Sequence, residues 1–198
     1  TFKMAKALRN ISFVMPVLNE EAYLATAIES VFSQSVPGEM ELVVALGPSK
    51  DKTDEVAQKL KKKYGAKLQL VRSPGLTSTS LNLAIEKAKY EVVLRVDAHS
   101  ELSEGYAALA VKVLNETNAA NVGGMMVAKG KNDFQSAVAY GYNNKVGLGG
   151  GAFHQLRRDG FHPTRDALTN FNFFLRHPII GVNHKYILAV LLRHQGFL

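Results

Sequence analysis

Cysteine and tryptophan are both absent from this chain of 198 residues. Without cysteine, disulfides and every thiolate metal site are excluded, and the composition fits a reducing compartment. Two glycine signatures of phosphate binding are missing as well. No Gly-x-Gly-x-x-Gly turn follows the first apolar run, and no Gly-x-x-x-x-Gly-Lys-Ser/Thr occurs. Those omissions argue against a dinucleotide dehydrogenase and a P-loop NTPase. No apolar run approaches the roughly 20 residues that span a bilayer, and no charged-then-apolar leader opens the chain, so the expected location is the cytoplasm, up to the inner face of a membrane. Acids run out late: none follows Asp166, whereas Arg176, Lys185 and Arg193 remain. A net charge of +7 suits a phosphate-rich partner such as a nucleotide or phospholipid, and equally suits a plain solvated face. Nucleic acid is not an expected partner, because aromatic residues do not interleave with the basic ones as stacking would require.

What is present is an alternation of strand and helix signals. Short aliphatic runs at 11–15, 41–46, 67–71, 91–96 and 121–128 predict strands, the first halted by Pro16. Between them, Asn19 reads as the N-cap of a helix carrying Leu24, Ile28, Val31 and Phe32 on one face. A second helix is predicted over 54–64 with a stop at Gly65, and others from Thr77, near 102–114 and over 134–144. This rhythm implies an α/β fold with a mainly parallel central sheet and helices on both faces. Ligands in such sheets bind at the carboxyl ends of the strands, where Asn19, Ser49, Thr77 and Asp97 all fall. The stretch 147–151 is too glycine-dense for regular structure and is expected to be a loop. The run 186–194 reads as an apolar helix with basic flanks, for core packing or membrane-surface contact.

The most informative stretch runs from Glu91 to His99, a buried-strand pattern that ends in Asp97-Ala98-His99. Side chains two apart on an extended chain point the same way, so Asp97 and His99 are placed to share one cation, with a donor set suited to manganese, zinc or iron. The plain alternative is a turn cap and a surface histidine. Arg95 falls on the side of Asp97 by the same alternation, where it either meets a diphosphate or pairs with that carboxylate. Asp97 is expected to stand outside the core, so that its removal leaves the fold intact.

Ser12 to Glu21, with its Pro16-x-x-Asn19-Glu20, and Ser30-x-x-x-Gln34 resemble the opening of the family 2 glycosyltransferases. Ser49-x-Asp51-x-Thr53, Leu81-Asn82-x-Ala84-Ile85 and Asp97-Ala98-His99 follow in the order of that family's later motifs. Val122 to Met125 and Lys145 to His154 are similar to the succinoglycan and exopolysaccharide type. The resemblance implies the GT-A fold, a nucleotide diphosphate-sugar donor such as a UDP-sugar, a divalent cation (Mn2+ or Mg2+) and inversion at the anomeric carbon. It further implies that Pro16, Asn19 and Glu20 line the nucleoside pocket and that Asp97 and His99 engage ribose and metal-bound diphosphate, with Arg95 nearby. Leu46 takes the nucleoside-facing place where many relatives carry an acid.

After Gln155 the likeness thins. The expected organisation is a nucleotide-sugar-binding core over 1–155, and a shortened or divergent acceptor-side segment with a basic C-terminal helix over 156–198. Asp159 and Asp166 are the only carboxylates there to serve as catalytic base; as plain alternatives they are helix caps or surface acids. The function expected is metal-dependent inverting transfer of a sugar to a polysaccharide or glycolipid acceptor. The rival is a non-catalytic nucleotide-sugar binding module with a degenerate acceptor half. Donor binding is expected to outlast transfer, since the cation half of the site looks complete and the base half does not.

Overall fold

The structure is a computed structural model that describes residues 10–117, 121–124, 130, 132–143, 161–164 and 187–190. Its strands are β1 (Ile11–Val17), β2 (Met40–Leu46), β3 (Leu68–Arg72), β4 (Val92–Arg95), β5 (Asn121–Gly124), β6 (Phe161–Thr164) and β7 (Ile187–Val190). Its helices are α1 (Leu24–Phe32), α2 (Thr53–Tyr64), α3 (Thr77–Lys87), α4 (Tyr106–Thr117) and α5 (Asp133–Asn143). The described strands form one sheet in the order β3-β2-β1-β4-β7-β5-β6. Every pairing is parallel except that of β5 with β6.

Alternation along the strands divides the core in two. Ile11, Phe13, Met15 and Val17 of β1, with Leu42, Val44 and Leu46 of β2 and Val92 and Leu94 of β4, face α1, α2 and α4. Val14, Val43, Ala45 and Val93 face the other way, onto Leu81, Ala84 and Ile85 of α3. Both faces of the sheet are thus covered, which is why its central strands are aliphatic without polar alternation. Helix α2 carries Asp54 and Glu55 in its first turn and Lys61, Lys62 and Lys63 in its last, the arrangement that its dipole favours. It ends at Gly65, whose positive φ of 57° is a backbone conformation that glycine adopts without steric cost. Phe32 and Tyr64 stack with ring centres 4.0 Å apart and tie α1 to α2.

Three expectations are corrected. Strand β1 runs through Pro16 to Val17. Val14 gives its carbonyl to Val96 on the β4 side, and Pro16 shares that parity. The ladder with β4 ends at Val14 opposite Arg95, so no partner waits for the N–H that proline lacks. Asn19 is not a helix N-cap: α1 begins at Leu24 after Tyr23. Ile187–Val190 is a strand, β7, between β4 and β5, and not part of a helix. A short aliphatic run fits a buried parallel strand as well as a helix segment, and periodicity does not separate the two. No helix among the described residues is long and apolar enough to cross a membrane.

At the carboxyl ends of the strands the backbone closes tightly. A Cβ added at Gly47 would lie 2.9 Å from the Gly75 Cα and 3.2 Å from the Val17 carbonyl oxygen. Gly47→Ala is therefore expected to force backbone apart and to destabilise by about 1–3 kcal/mol. Gly141→Ala, within α5 and with nothing within 4 Å of the added Cβ, should stabilise by up to about 1 kcal/mol through helix propensity. Urea unfolding midpoints of the two variants, moving in opposite directions, check this.

Candidate functional site

A cleft of about 360 Å³ opens where β1 and β4 end and α3 begins. Pro16, Val17 and Leu18 form its β1 side, Arg95, Asp97, Ala98 and His99 its β4 side, and Gly75, Thr77 and Ser80 the entrance to α3. Glu20 completes the wall. Helix α3 starts after Leu76 with no side-chain cap. Ser73 and Ser80 join their hydroxyls at 2.7 Å across the turn before it.

The loops after β1 and β2 are laced together by side chains that bond the opposite backbone. Asn19 has a left-handed φ of 56°, a conformation asparagine tolerates better than most residues. Its N–H donates to the Ser49 hydroxyl at 3.0 Å, and its side-chain oxygen accepts from the Lys50 N–H at 2.7 Å. The Glu20 N–H donates to the Thr53 hydroxyl at 2.8 Å. The Glu21 N–H donates to Asp51 at 3.1 Å, while the Glu21 carboxylate accepts from the Lys52 N–H at 2.7 Å. Asp51 also accepts from the Thr53 N–H and hydroxyl, at 3.0 and 2.5 Å. The hydroxyl bond holds the Asp51 carboxyl below its ordinary pKa.

Each of the two residues proposed as cation ligands has a partner of its own. The Arg95 Nε and Nη2 donate to Asp97 Oδ1 at 3.0 and 2.8 Å, with both side chains nearly buried. His99 Nδ1 lies 3.0 Å from Glu20 Oε1. That bond raises the imidazole pKa above 6.5, against partial burial, which lowers it; the charges of Glu20 and Asp97 add to the rise.

The described residues contain no cluster of three or more His, Asp or Glu able to enclose a metal. A divalent cation nonetheless fits Asp97 and His99, because at phosphate-binding sites the protein commonly supplies one or two ligands and phosphate and water the rest. An oxygen from Asp97 and a nitrogen from His99 suit manganese.

Of the residues read from the sequence, Pro16, Glu20, Arg95, Asp97 and His99 meet at the cleft. Asn19 does not line it and laces the loops instead. Leu46 does not line it either: it is 1% exposed in the core, because it shares the parity of Leu42 and Val44 and faces α1 and α2. Asp97 is not outside the core region; it is 7% exposed and Arg95 is 4% exposed. Asp159 and Asp166 lie outside the described residues, as does the 147–151 glycine stretch. Thr53, wholly buried, and the Ser73 and Ser80 hydroxyl pair escaped the sequence reading as site-shaping groups. The Ser-x-Asp-x-Thr spacing was the available signal for Thr53.

A titration follows from the His99 and Glu20 pair. The folded pKa stands above the unfolded 6.5, so the pair's contribution to stability is fully present below 6.5 and is lost as pH rises through the folded value. Imidazole NMR of wild type should place His99 above 6.5, and Glu20→Gln should bring it down. An unchanged His99 titration in the variant would contradict the assignment.

Comparison with known proteins adds the lineage. The succinoglycan biosynthesis protein ExoA of Rhizobium meliloti (strain 1021) is 31% identical over 139 residues, which is 69% of this chain and 42% of ExoA. The chain thus spans less than half the length of that relative. Among solved structures, S. aureus TarS 1-349 superposes with a TM-score of 0.53 at 24% identity, covering 62% of this chain and 37% of that one. TarS 1-349 in complex with UDP-GlcNAc gives 0.54 at 23% identity, covering 62% and 36%. These structural likenesses bear out the α/β GT-A architecture expected from the sequence. The family model described as glycosyl transferase family 2 matches residues 12–191, and the chain belongs to that family.

Proposed function

We propose that this chain is the donor-binding part of a glycosyltransferase that takes a sugar from a nucleotide diphosphate-sugar, a UDP-sugar by preference. Its product is placed in exopolysaccharide or glycolipid assembly, at the cytoplasmic face of a membrane. The observation that carries the reading is the placement of Asp97 and His99, each held by its own partner, on the wall of a cleft at the carboxyl end of a parallel sheet. Family membership and the UDP-GlcNAc complex of the structurally similar TarS support it.

The reaction proposed is inverting. An acceptor hydroxyl oxygen bonds to the anomeric carbon, the bond from that carbon to the diphosphate breaks, the electron pair leaves with the diphosphate, and the hydroxyl proton passes to a carboxylate base. Asp159 and Asp166 remain the candidates for that base. Asp97 Oδ2 and His99 would hold a divalent cation, whose chemistry there is to neutralise charge on the departing diphosphate. Arg95 fixes the Asp97 carboxylate, and Thr77 and Ser80 offer hydroxyls on the facing wall.

Calorimetry with UDP, with and without Mn2+, tests donor binding, and Asp97→Asn should abolish the metal-dependent gain. Equal UDP affinity in wild type and variant with Mn2+ present would overturn the reading. The conservative variant is needed because Asp97→Ala leaves the buried Arg95 without its carboxylate. That variant should lose stability on the order of 3 kcal/mol, as broken buried ion pairs do, which thermal unfolding would register.

Transfer is the finer part of the proposal. Incubation with Mn2+, radiolabelled UDP-glucose and an acceptor panel should give free sugar from donor hydrolysis in excess of transferred sugar. A positioned base contributes about 10² to 10⁴ in rate, so Asp159→Asn or Asp166→Asn should remove residual transfer in only one case. Robust transfer retained by both variants would eliminate both candidates.

A further inference from the structure

Glu20 has its backbone fixed at both ends. Its N–H donates to the Thr53 hydroxyl at 2.8 Å, and its carbonyl accepts from the Tyr23 and Leu24 N–H groups at 3.1 and 2.9 Å. Asn19, immediately before it, is held by Ser49 and Lys50. A side chain on so constrained a backbone has a short list of places to go. The Glu20 carboxylate goes to His99 Nδ1, 3.0 Å away and 79 residues along the chain. The site therefore has a symmetric support: Arg95 holds Asp97 through Oδ1, and Glu20 holds His99 through Nδ1.

The consequence is one of tautomer. A neutral imidazole carries one proton on one of two nitrogens, and a carboxylate acceptor beside Nδ1 keeps that proton there. Nε2 is then the nitrogen with the lone pair. We propose that Glu20 is a positioning residue, neither a nucleoside contact nor a ligand, which fixes the orientation and tautomer of His99 so that Nε2 faces the cation shared with Asp97. The inference rests on the cation reading above and deepens it. It also gives the loop lacing a reach beyond its own residues: Ser49, Asp51 and Thr53 set the place of Glu20, and Glu20 sets the ring.

The test uses the full chain, labelled with ¹⁵N, at a pH above the imidazole titration. Two-dimensional imidazole spectra, with His99 assigned by its loss in His99→Gln, should show wild-type His99 with its proton on Nδ1. In Glu20→Ala the proton should redistribute toward Nε2, and Mn2+ affinity in the presence of UDP, read by calorimetry, should fall about 10- to 100-fold, as loss of an outer-shell partner does. Glu20→Gln keeps an oxygen able to accept from Nδ1–H. It should retain the tautomer and bind Mn2+ within a few-fold of wild type, and it provides the test should the alanine variant fail to fold. An unchanged tautomer in Glu20→Ala would overturn the inference while leaving the cation reading standing. So would a glutamine variant that keeps the tautomer yet loses Mn2+, since Glu20 would then be a ligand. Absence of Mn2+ binding by wild type would instead remove the cation reading itself, and this inference with it.

Discussion

The site depends on the bonds that join the loop after β1 to the loop after β2. Neither loop is regular structure, and a loop of this kind left to itself would spend its time in many conformations. Here each loop satisfies the backbone of the other. Ser49, Asp51 and Thr53 accept from the N–H groups of Asn19, Glu21 and Glu20, while Asn19 and Glu21 accept in return from Lys50 and Lys52. Five backbone donors that would otherwise need water are paired within a span of a few residues. The close approach of Gly47 to Gly75 extends the same packing to the loop before α3. The three loops are thereby joined, and those after β1 and before α3 contribute walls of the cleft.

The buried pair of Arg95 and Asp97 adds an electrostatic constraint. Two charges this deep are stable only if each satisfies the other, because desolvation of a lone ion in the interior costs several kcal/mol. The Arg95 Nε and Nη2 bonds both go to one carboxylate oxygen. That geometry offsets much of the charge of Asp97 through one of its two oxygens. A carboxylate prepared in this way is a moderate rather than a strong attractor for a cation, which is what the proposed function would ask of it: to hold a metal together with a diphosphate and release both.

Much of this was legible in the sequence, for reasons that differ by element. Helix α2 was placed almost to the residue, because Gly65 marks its end plainly. The strands β1, β2 and β4 were found from aliphatic runs, and Asp97 and His99 from the abrupt polar end of one of them. The errors fall where a residue type has two physical outlets. Pro16 stops a strand unless the missing N–H faces a gap, and here it does. Asn19 caps helices and also tolerates left-handed backbone, and the second use won. Leu46 stood where a motif comparison put a nucleoside contact, yet strand parity sends it into the core. Ile187 to Val190 had the composition of either a helix segment or a buried strand. Its place between β4 and β5 is a long-range pairing that no local pattern encodes.

The position of the cleft follows from the same register. Strand β1 pairs with β2 as far as Val17 and Leu46, but with β4 only as far as Val14 and Arg95. The chain leaving β1 toward α1 and β2 goes to one side of the sheet order, and β4 lies on the other. Such a reversal in strand order opens a crevice at the carboxyl ends, because the connecting loops diverge there. The unequal pairing deepens it. Beyond Val14 the β4 side of β1 has no ladder, so Pro16 is acceptable in the strand, and the residues after Arg95 turn across the gap carrying Asp97 and His99 with them. A proline that looks like a strand breaker and a carboxylate that looks like a turn cap are thus two signs of one feature, the early end of β4. Extending that ladder by two residues would demand an N–H at Pro16 and would draw Asp97 into the sheet, closing the site that the stagger creates.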